Sequence, residues 1–260
     1  MPHIIATANP KGGTGKSTSA ANLAHQAARA GVRTLVIDLD PQASSSYLLG
    51  LDKDASPNVS ALLEPQARSA AELAHPTEYG PYVVPAGPAL IEAEDNLRTA
   101  SLGELRLSTA LGADQGLAGY GLVILDTPGY TGRLYTSALI ASDDVLIVAK
   151  ASALTSSELP DLLDTIDALS VQRPRPEPIR ILGLAFNEVD QRTRAARYNM
   201  AEVRDELARG HPVAESVIPK STRIEEAAFA RCPVAAWDAS AKPAFAYEQL
   251  YYELIAPIAN

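Results

Sequence analysis

Cysteine occurs once in 260 residues, at Cys232, so the chain has no disulfide framework and no cysteine-built metal site. That usage fits a reducing compartment. Long apolar runs are missing as well. No stretch approaches the ~18 consecutive apolar residues that a membrane-spanning helix needs. The glycine-rich segment beginning at Lys11 arrives before any apolar region long enough for a signal peptide. Internal repeats and low-complexity segments are lacking, and a composition of 47% hydrophobic and 20% charged residues excludes disorder as the main description. Lysine is scarce, at 6 residues against 16 arginines, and two of the six fall in one eight-residue motif. The net charge of −9 argues against an obligate nucleic-acid coat, but it is unevenly spread. Residues 1–170 hold 10 basic and 19 acidic side chains; residues 171–260 hold 12 of each. A local basic face toward the C-terminus is therefore compatible with the acidic total.

Short Val/Ile/Leu-rich runs recur at 3–8, 33–38, 81–86, 121–126, 144–149, 180–186 and 215–219. Most lack polar–apolar alternation, the pattern of strands covered on both faces. Helical spacing fills the intervals, for example at 16–30 and 155–170. This alternation predicts an α/β fold: a doubly wound, mostly parallel sheet with helices on both faces. Residues 171–178, with three prolines, read as a loop inside one domain that covers 1–260.

The strongest motif is Lys11-Gly12-Gly13-Thr14-Gly15-Lys16-Ser17-Thr18. It follows a predicted strand and opens a predicted helix, the context of a phosphate-binding P-loop. Glycines let successive backbone N–H groups turn toward phosphate oxygens, and the helix N-terminus adds partial positive charge. Lys16 is placed to reach the β- and γ-phosphates, and Ser17 to offer its hydroxyl to Mg²⁺. Two acidic motifs close predicted strands, Asp38-Leu39-Asp40-Pro41-Gln42 and Asp126-Thr127-Pro128-Gly129. Carboxyl ends of strands are where open α/β sheets bind ligands. An aspartate in such a place also serves as a helix cap.

KGGTGKST departs from the standard P-loop pattern, because Pro10 stands where the first glycine belongs. It resembles the deviant Walker A box of the ParA/MinD family of ATPases. The two acidic motifs resemble that family's DxDPQ box and Walker B segment, and IPKSTRIEEA at 218–227 resembles its IPRSxRxxEA segment. The resemblance runs from residue 4 to about 255. It implies a P-loop NTPase-like fold, with ATP and Mg²⁺ as cofactors. It implies that Lys11 reaches the partner's phosphates across a nucleotide-sandwich homodimer, that Asp126 and Asp38 serve the metal, and that Asp40 positions the attacking water. Gly12, Gly13, Thr14, Gly15, Lys16, Ser17 and Thr18 fall in the nucleotide-binding set, as does Pro219. Asn187 is either an adenine contact, as in family members, or a turn residue.

Within the family, a ParA-type partition ATPase is the leading reading. It would dimerise on ATP, bind double-stranded DNA without sequence preference, and be released by a ParB-like or analogous activating partner. The implied location is cytoplasmic and nucleoid-associated. With ten residues ahead of Lys11, no N-terminal helix-turn-helix domain is expected. Arg192, Arg194, Arg197, Lys220 and Arg223 form a candidate DNA-binding set; a solvated arginine face is the plain alternative. A MinD-like membrane-cycling regulator is the second reading. It calls for a basic amphipathic C-terminal helix, whereas AYEQLYYELIAPIAN has no Lys or Arg. Its apolar positions Tyr247, Leu250, Tyr251, Leu254 and Ile258 follow helical spacing, so they are expected to pack on the core, and no membrane partner is expected. A P-loop kinase or metabolic enzyme is the third reading. The single cysteine cannot supply a bridged iron–sulfur cluster.

Overall fold

The computed structural model describes residues 1–207 and 210–259. Its strands are β1 (His3–Ala8), β2 (Thr34–Asp38), β3 (His75–Pro76), β4 (Tyr82–Val84), β5 (Leu122–Asp126), β6 (Asp144–Lys150), β7 (Arg180–Val189) and β8 (Val213–Pro219). They form one sheet in the order β3-β4-β2-β5-β1-β6-β7-β8. Every neighbouring pair is parallel except β3–β4. The doubly wound, mostly parallel α/β architecture expected from the sequence is present. The two-residue β3 escaped sequence reading, because a strand so short, ending in proline, carries no periodic signal; it sits at the sheet edge, where proline is tolerated.

The helices are α1 (Lys16–Arg29), α2 (Ser44–Leu48), α3 (Ala70–Leu73), α4 (Ala89–Thr99), α5 (Arg106–Ala113), α6 (Arg133–Ala141), α7 (Ala153–Gln172), α8 (Arg194–Leu207), α9 (Thr222–Phe229), α10 (Val234–Trp237) and α11 (Lys242–Leu250). The proline-rich loop starts two residues later than expected, because α7 runs through Gln172. Successive strand residues point to opposite faces. Ile4, Leu35, Val123 and Val145 enter a core shared with α4–α8, while Ile5, Val36, Ile124 and Leu146 enter one shared with α1 and α9–α11. Two buried faces explain why these strands read as continuous apolar runs.

The C-terminal segment packs on the second core through Tyr247, Leu250, Tyr251 and Ile255. A wider π turn spans Tyr251–Ile255. Its extra residue per turn advances the phase of the helix. Ile255 is therefore buried, and Leu254, one of the expected core positions, is only half-buried.

Candidate functional site

The carboxyl ends of β2, β5 and β1 lie side by side in the sheet. Register places Asp38 opposite Asp126, and Asp126 opposite Thr7. Beyond β1 the chain turns through Asn9. The Asn9 amide donates to Val148 O on β6 at 2.9 Å, and its Oδ1 accepts from Lys11 N at 3.0 Å. The loop then curls through Gly13 at φ +72° and Gly15 at φ +95°, left-handed values that side-chain-bearing residues rarely adopt. Gly15 caps α1, and its carbonyl accepts from Ser19 N at 2.8 Å. No side-chain cap and no acidic first-turn residue occupies this helix end. Its N–H groups and dipole remain available to an anion.

A cleft of about 480 Å³ opens here, lined by Gly12, Gly13, Gly15, Lys16, Ser17 and Thr18 of the loop. Asp40, Tyr130 and Glu188 face it from other elements. A larger cavity of about 900 Å³ lies between α3 and α5, but no motif residue lines it. Chemistry rather than size marks the smaller one as the site.

The two lysines of the loop diverge. Lys16 is 5% exposed and donates from Nζ to Lys11 O at 3.1 Å. Burial lowers its pKa, and the nearby charges of Asp126 and Asp40 pull it back up. Lys11 points outward and pairs with Glu158 of α7 at 3.4 Å, both side chains about half exposed.

Asp126 is fully buried, and its Oδ2 has no hydrogen-bond partner. Burial and the neighbouring Asp38 push its carboxyl up to about 8, against a smaller opposite pull from the Ser17 and Ser45 hydroxyls. These hydroxyls approach without completing a hydrogen bond to Oδ2. An orphaned, desolvated carboxylate oxygen beside a serine hydroxyl and a phosphate loop fits a Mg²⁺ ion. Among the described residues no group of three or more His, Cys, Asp or Glu could hold a metal on its own. A cation here draws most of its ligands from phosphate and water.

Asp38 is placed otherwise than the metal role implied. Its Oδ2 accepts from Ser46 N at 2.9 Å and Ser46 Oγ at 2.7 Å, and its Oδ1 accepts from Asp40 N at 3.1 Å. Both oxygens are committed to shaping residues 39–46, although burial still raises the carboxyl's pKa. Asp40 itself is half-buried, with Oδ1 accepting from Gln42 N at 3.0 Å. Asn187 lies within β7 rather than at its end. Its Nδ2 donates to Thr14 O at 2.9 Å, and its Oδ1 faces the Tyr247 hydroxyl at 3.5 Å. The side chain is a brace under the P-loop, buried to 2% exposure, and not a turn residue. Pro219 ends β8 in register with Val189.

The basic residues adjoin only in part. The Lys220 N–H donates to Val189 O, which brings the loops after β7 and β8 together. Arg194 and Arg197 are exposed in the first turn of α8. Arg192 lies outside that helix, because Thr193 accepts from Ala196 N at the helix start. It grips Asp190 through two contacts of 2.8 and 2.9 Å. That pairing holds Asp190 down at about 2. Arg223 pairs with Glu226 at 2.7 Å and Asp238 at 3.6 Å. The expected patch of five cations is thus interleaved with three acids, and two of its members are neutralised locally.

Sequence reading did not place Asn9, Ser46, Tyr130 or Glu188 at the site, nor Thr7, whose hydroxyl donates to Asp126 Oδ1 at 3.4 Å, and it read Tyr247 only as a core position. Asn9 sits immediately ahead of Pro10, and Tyr130 lies in the Gly129-Tyr130-Thr131-Gly132 segment; both positions carried a signal. Ser46 is indistinguishable from Ser44 and Ser45 without the fold.

The family model described as "AAA domain" matches residues 2–176. The chromosome partitioning protein ParA of Myxococcus xanthus is 35% identical over 256 residues, covering 97% of this chain and 87% of that protein. The chromosome-partitioning ATPase Soj of Thermus thermophilus is 34% identical, covering 98% of this chain and 96% of that protein. Among solved structures, cobyrinic acid a,c-diamide synthase from Mycobacterium smegmatis with a bound ATP analogue and magnesium superposes with a TM-score of 0.81 at 27% identity. That alignment covers 97% of this chain and 93% of the synthase. Full-length identity to partition proteins, together with the phosphate loop and its buried carboxylates, establishes that the chain belongs to the ParA/Soj family of P-loop ATPases.

Proposed function

We propose that this protein is a partition ATPase working as a single domain. It binds ATP and Mg²⁺, dimerises with the nucleotide between subunits, holds DNA without sequence preference, and lets go when a ParB-like or analogous partner stimulates hydrolysis. The observation that carries this reading is the divergence of the two lysines. Lys16 fills the interior of the phosphate loop, while Lys11 leaves its own cleft and rests on Glu158. An exposed ion pair of this kind is worth only about 0–1 kcal/mol. A triphosphate on a second subunit offers Lys11 a far stronger partner, in the manner of a finger supplied in trans.

The remaining roles follow from placement. Backbone N–H groups of residues 12–18 and the Lys16 ammonium bind and orient the phosphates. Ser17 and Asp126 hold Mg²⁺, which supplies neutralisation of charge on the phosphate oxygens. Asp40 orients the attacking water, and Asp38 holds Asp40's loop in place. Asn187 acts on the nucleotide through Thr14. Arg194 and Arg197, with Lys220, supply the DNA contact, and the dimer doubles their charge. The C-terminal segment directs its apolar face into the core, which favours DNA over a lipid surface as the second ligand. No helix among the described residues is long and apolar enough to cross a membrane. A cytoplasmic, nucleoid-associated location follows from this reading.

The test is size-exclusion chromatography with light scattering, using a slowly hydrolysed ATP analogue. The wild type should dimerise, and Lys16→Ala should neither bind the analogue nor dimerise. Asp40→Ala should dimerise and stay on duplex DNA without turning over. A wild-type protein that binds the analogue as a monomer and ignores DNA refutes the partition cycle.

A further inference from the structure

Tyr130 lines the nucleotide cleft beside Asp40 and is 39% exposed. It sits in a short loop pinned at both ends by close approaches. At Gly129 a Cβ would lie 2.9 Å from Gly12 Cα, so the loop rests directly on the phosphate loop. At Gly132 a Cβ would overlap Glu94 Oε1 and come within 2.8 Å of the Tyr130 ring. Glu94 belongs to α4, is 6% exposed, and accepts the Tyr130 hydroxyl on Oε2 at 2.7 Å. Its Oε1 faces Leu134 N in the first turn of α6 at 3.5 Å. A buried carboxylate on a distant helix therefore fixes both the tyrosine at the cleft mouth and the helix that follows it.

We propose that Tyr130 and Glu94 are a positioning pair that holds the 127–132 loop against Gly12 at the terminal-phosphate end of the cleft, and so governs hydrolysis rather than nucleotide affinity. This rests on the ATPase reading above. The loop follows Asp126, whose orphaned oxygen marks the end of the site where a metal would be held and would neutralise the terminal phosphates. Affinity comes from the phosphate-loop backbone and Lys16, whereas the hydrogen bond of Tyr130 runs away from them to Glu94. Charged acceptors make the stronger hydrogen bonds, so losing this one should loosen the loop without emptying the site.

Tyr130→Phe removes only the hydroxyl. It should lower the single-turnover rate about tenfold, the worth of one well-made hydrogen bond, and leave ATP affinity within about twofold. Glu94→Ala should match it, Glu94→Gln should recover part of the rate, and the double variant should be no slower than either single. In the nucleotide-free protein, amide hydrogen exchange across 129–134 should quicken in Tyr130→Phe. Unchanged rate and exchange in Tyr130→Phe, a loss that appears in affinity instead, or multiplicative losses in the double variant would each overturn the pairing. A wild type that neither binds nor hydrolyses ATP overturns the ATPase reading itself, whereas an active wild type with an unaltered Tyr130→Phe overturns only this inference.

Discussion

Replacing Gly15 with alanine separates two costs that the structure allows to be counted. The first is backbone. Gly15 sits at φ +95°, and holding a side-chain-bearing residue in that region costs about 1–2 kcal/mol. The second is contact. The new Cβ would overlap the Asn187 amide nitrogen and lie 3.0 Å from Asn187 Cγ. Asn187 must then swing off Thr14 O, leaving a buried donor and acceptor unpaired at about 1–3 kcal/mol. The sum is about 2–5 kcal/mol. For a chain of this size each kcal/mol moves Tm by about 2–4 °C, so the midpoint should fall by roughly 4–20 °C. Gly13→Ala is the control. Gly13 has φ +72° but nothing within 4 Å of its added Cβ, so only the backbone cost applies. Its midpoint should fall by about 2–8 °C. Thermal unfolding by circular dichroism without nucleotide reads both. Adding Asn187→Ala to Gly15→Ala clears the overlap and should regain part of the loss. Equal shifts for Gly13→Ala and Gly15→Ala, or a double variant less stable than Gly15→Ala alone, would refute the reasoning.

Lys11→Ala should bind an ATP analogue with near-normal affinity by calorimetry yet fail to dimerise by light scattering; a normal dimer would remove the trans role. Burial opposes ionisation of Asp144, but hydrogen bonds from His3 and Arg180 outweigh it and hold the carboxyl below its ordinary range. Such a group stabilises the fold above the unfolded value of about 4 and loses that contribution as pH falls through the lower folded value. Urea unfolding of Asp144→Asn between about pH 5 and 2 should therefore be flatter with pH than that of the wild type, and parallel curves would contradict the sign. Arg194→Glu with Arg197→Glu should abolish ATP-dependent duplex binding by fluorescence anisotropy. Arg192→Gln combined with Asp190→Asn should change it little, because that pair already carries no net charge; wild-type affinity should fall with salt by a slope of roughly −0.9 per phosphate contacted.

Seven of the eight strands are legible in the sequence, most clearly β1, β2, β5 and β6, where two-sided burial writes an unbroken apolar run; β8, interrupted by Glu215 and Ser216, is read only from its Val-Ile-Pro end. β3 writes nothing, being two residues at an edge. The phosphate loop is legible for a local reason, since glycine spacing and the following helix are contiguous. What depends on pairing across the sheet is not. Asp38 and Asp126 look alike as acids closing strands, yet Ser46 satisfies one and nothing satisfies Oδ2 of the other. Arg192 reads as one of a run of arginines with Arg194 and Arg197, yet its partner Asp190, two residues before it, neutralises it. The C-terminal pattern reads as an ordinary helix because a single π turn leaves no trace in apolar spacing.

The register that sets Asp38 opposite Asp126 has a cost that falls on the fold rather than on the chemistry. Two carboxyls facing each other on neighbouring strands and removed from water oppose each other's ionisation, so folding must hold Asp126 protonated at a pH where the unfolded chain would ionise it. Here local preference and global architecture disagree, the condition called frustration. Neutralising the unsatisfied member, as in Asp126→Asn, should make the nucleotide-free protein more stable while stripping the site of its metal anchor. Optimisation for stability alone would not place this pair here, and its presence in a well-packed core marks where stability has been exchanged for use.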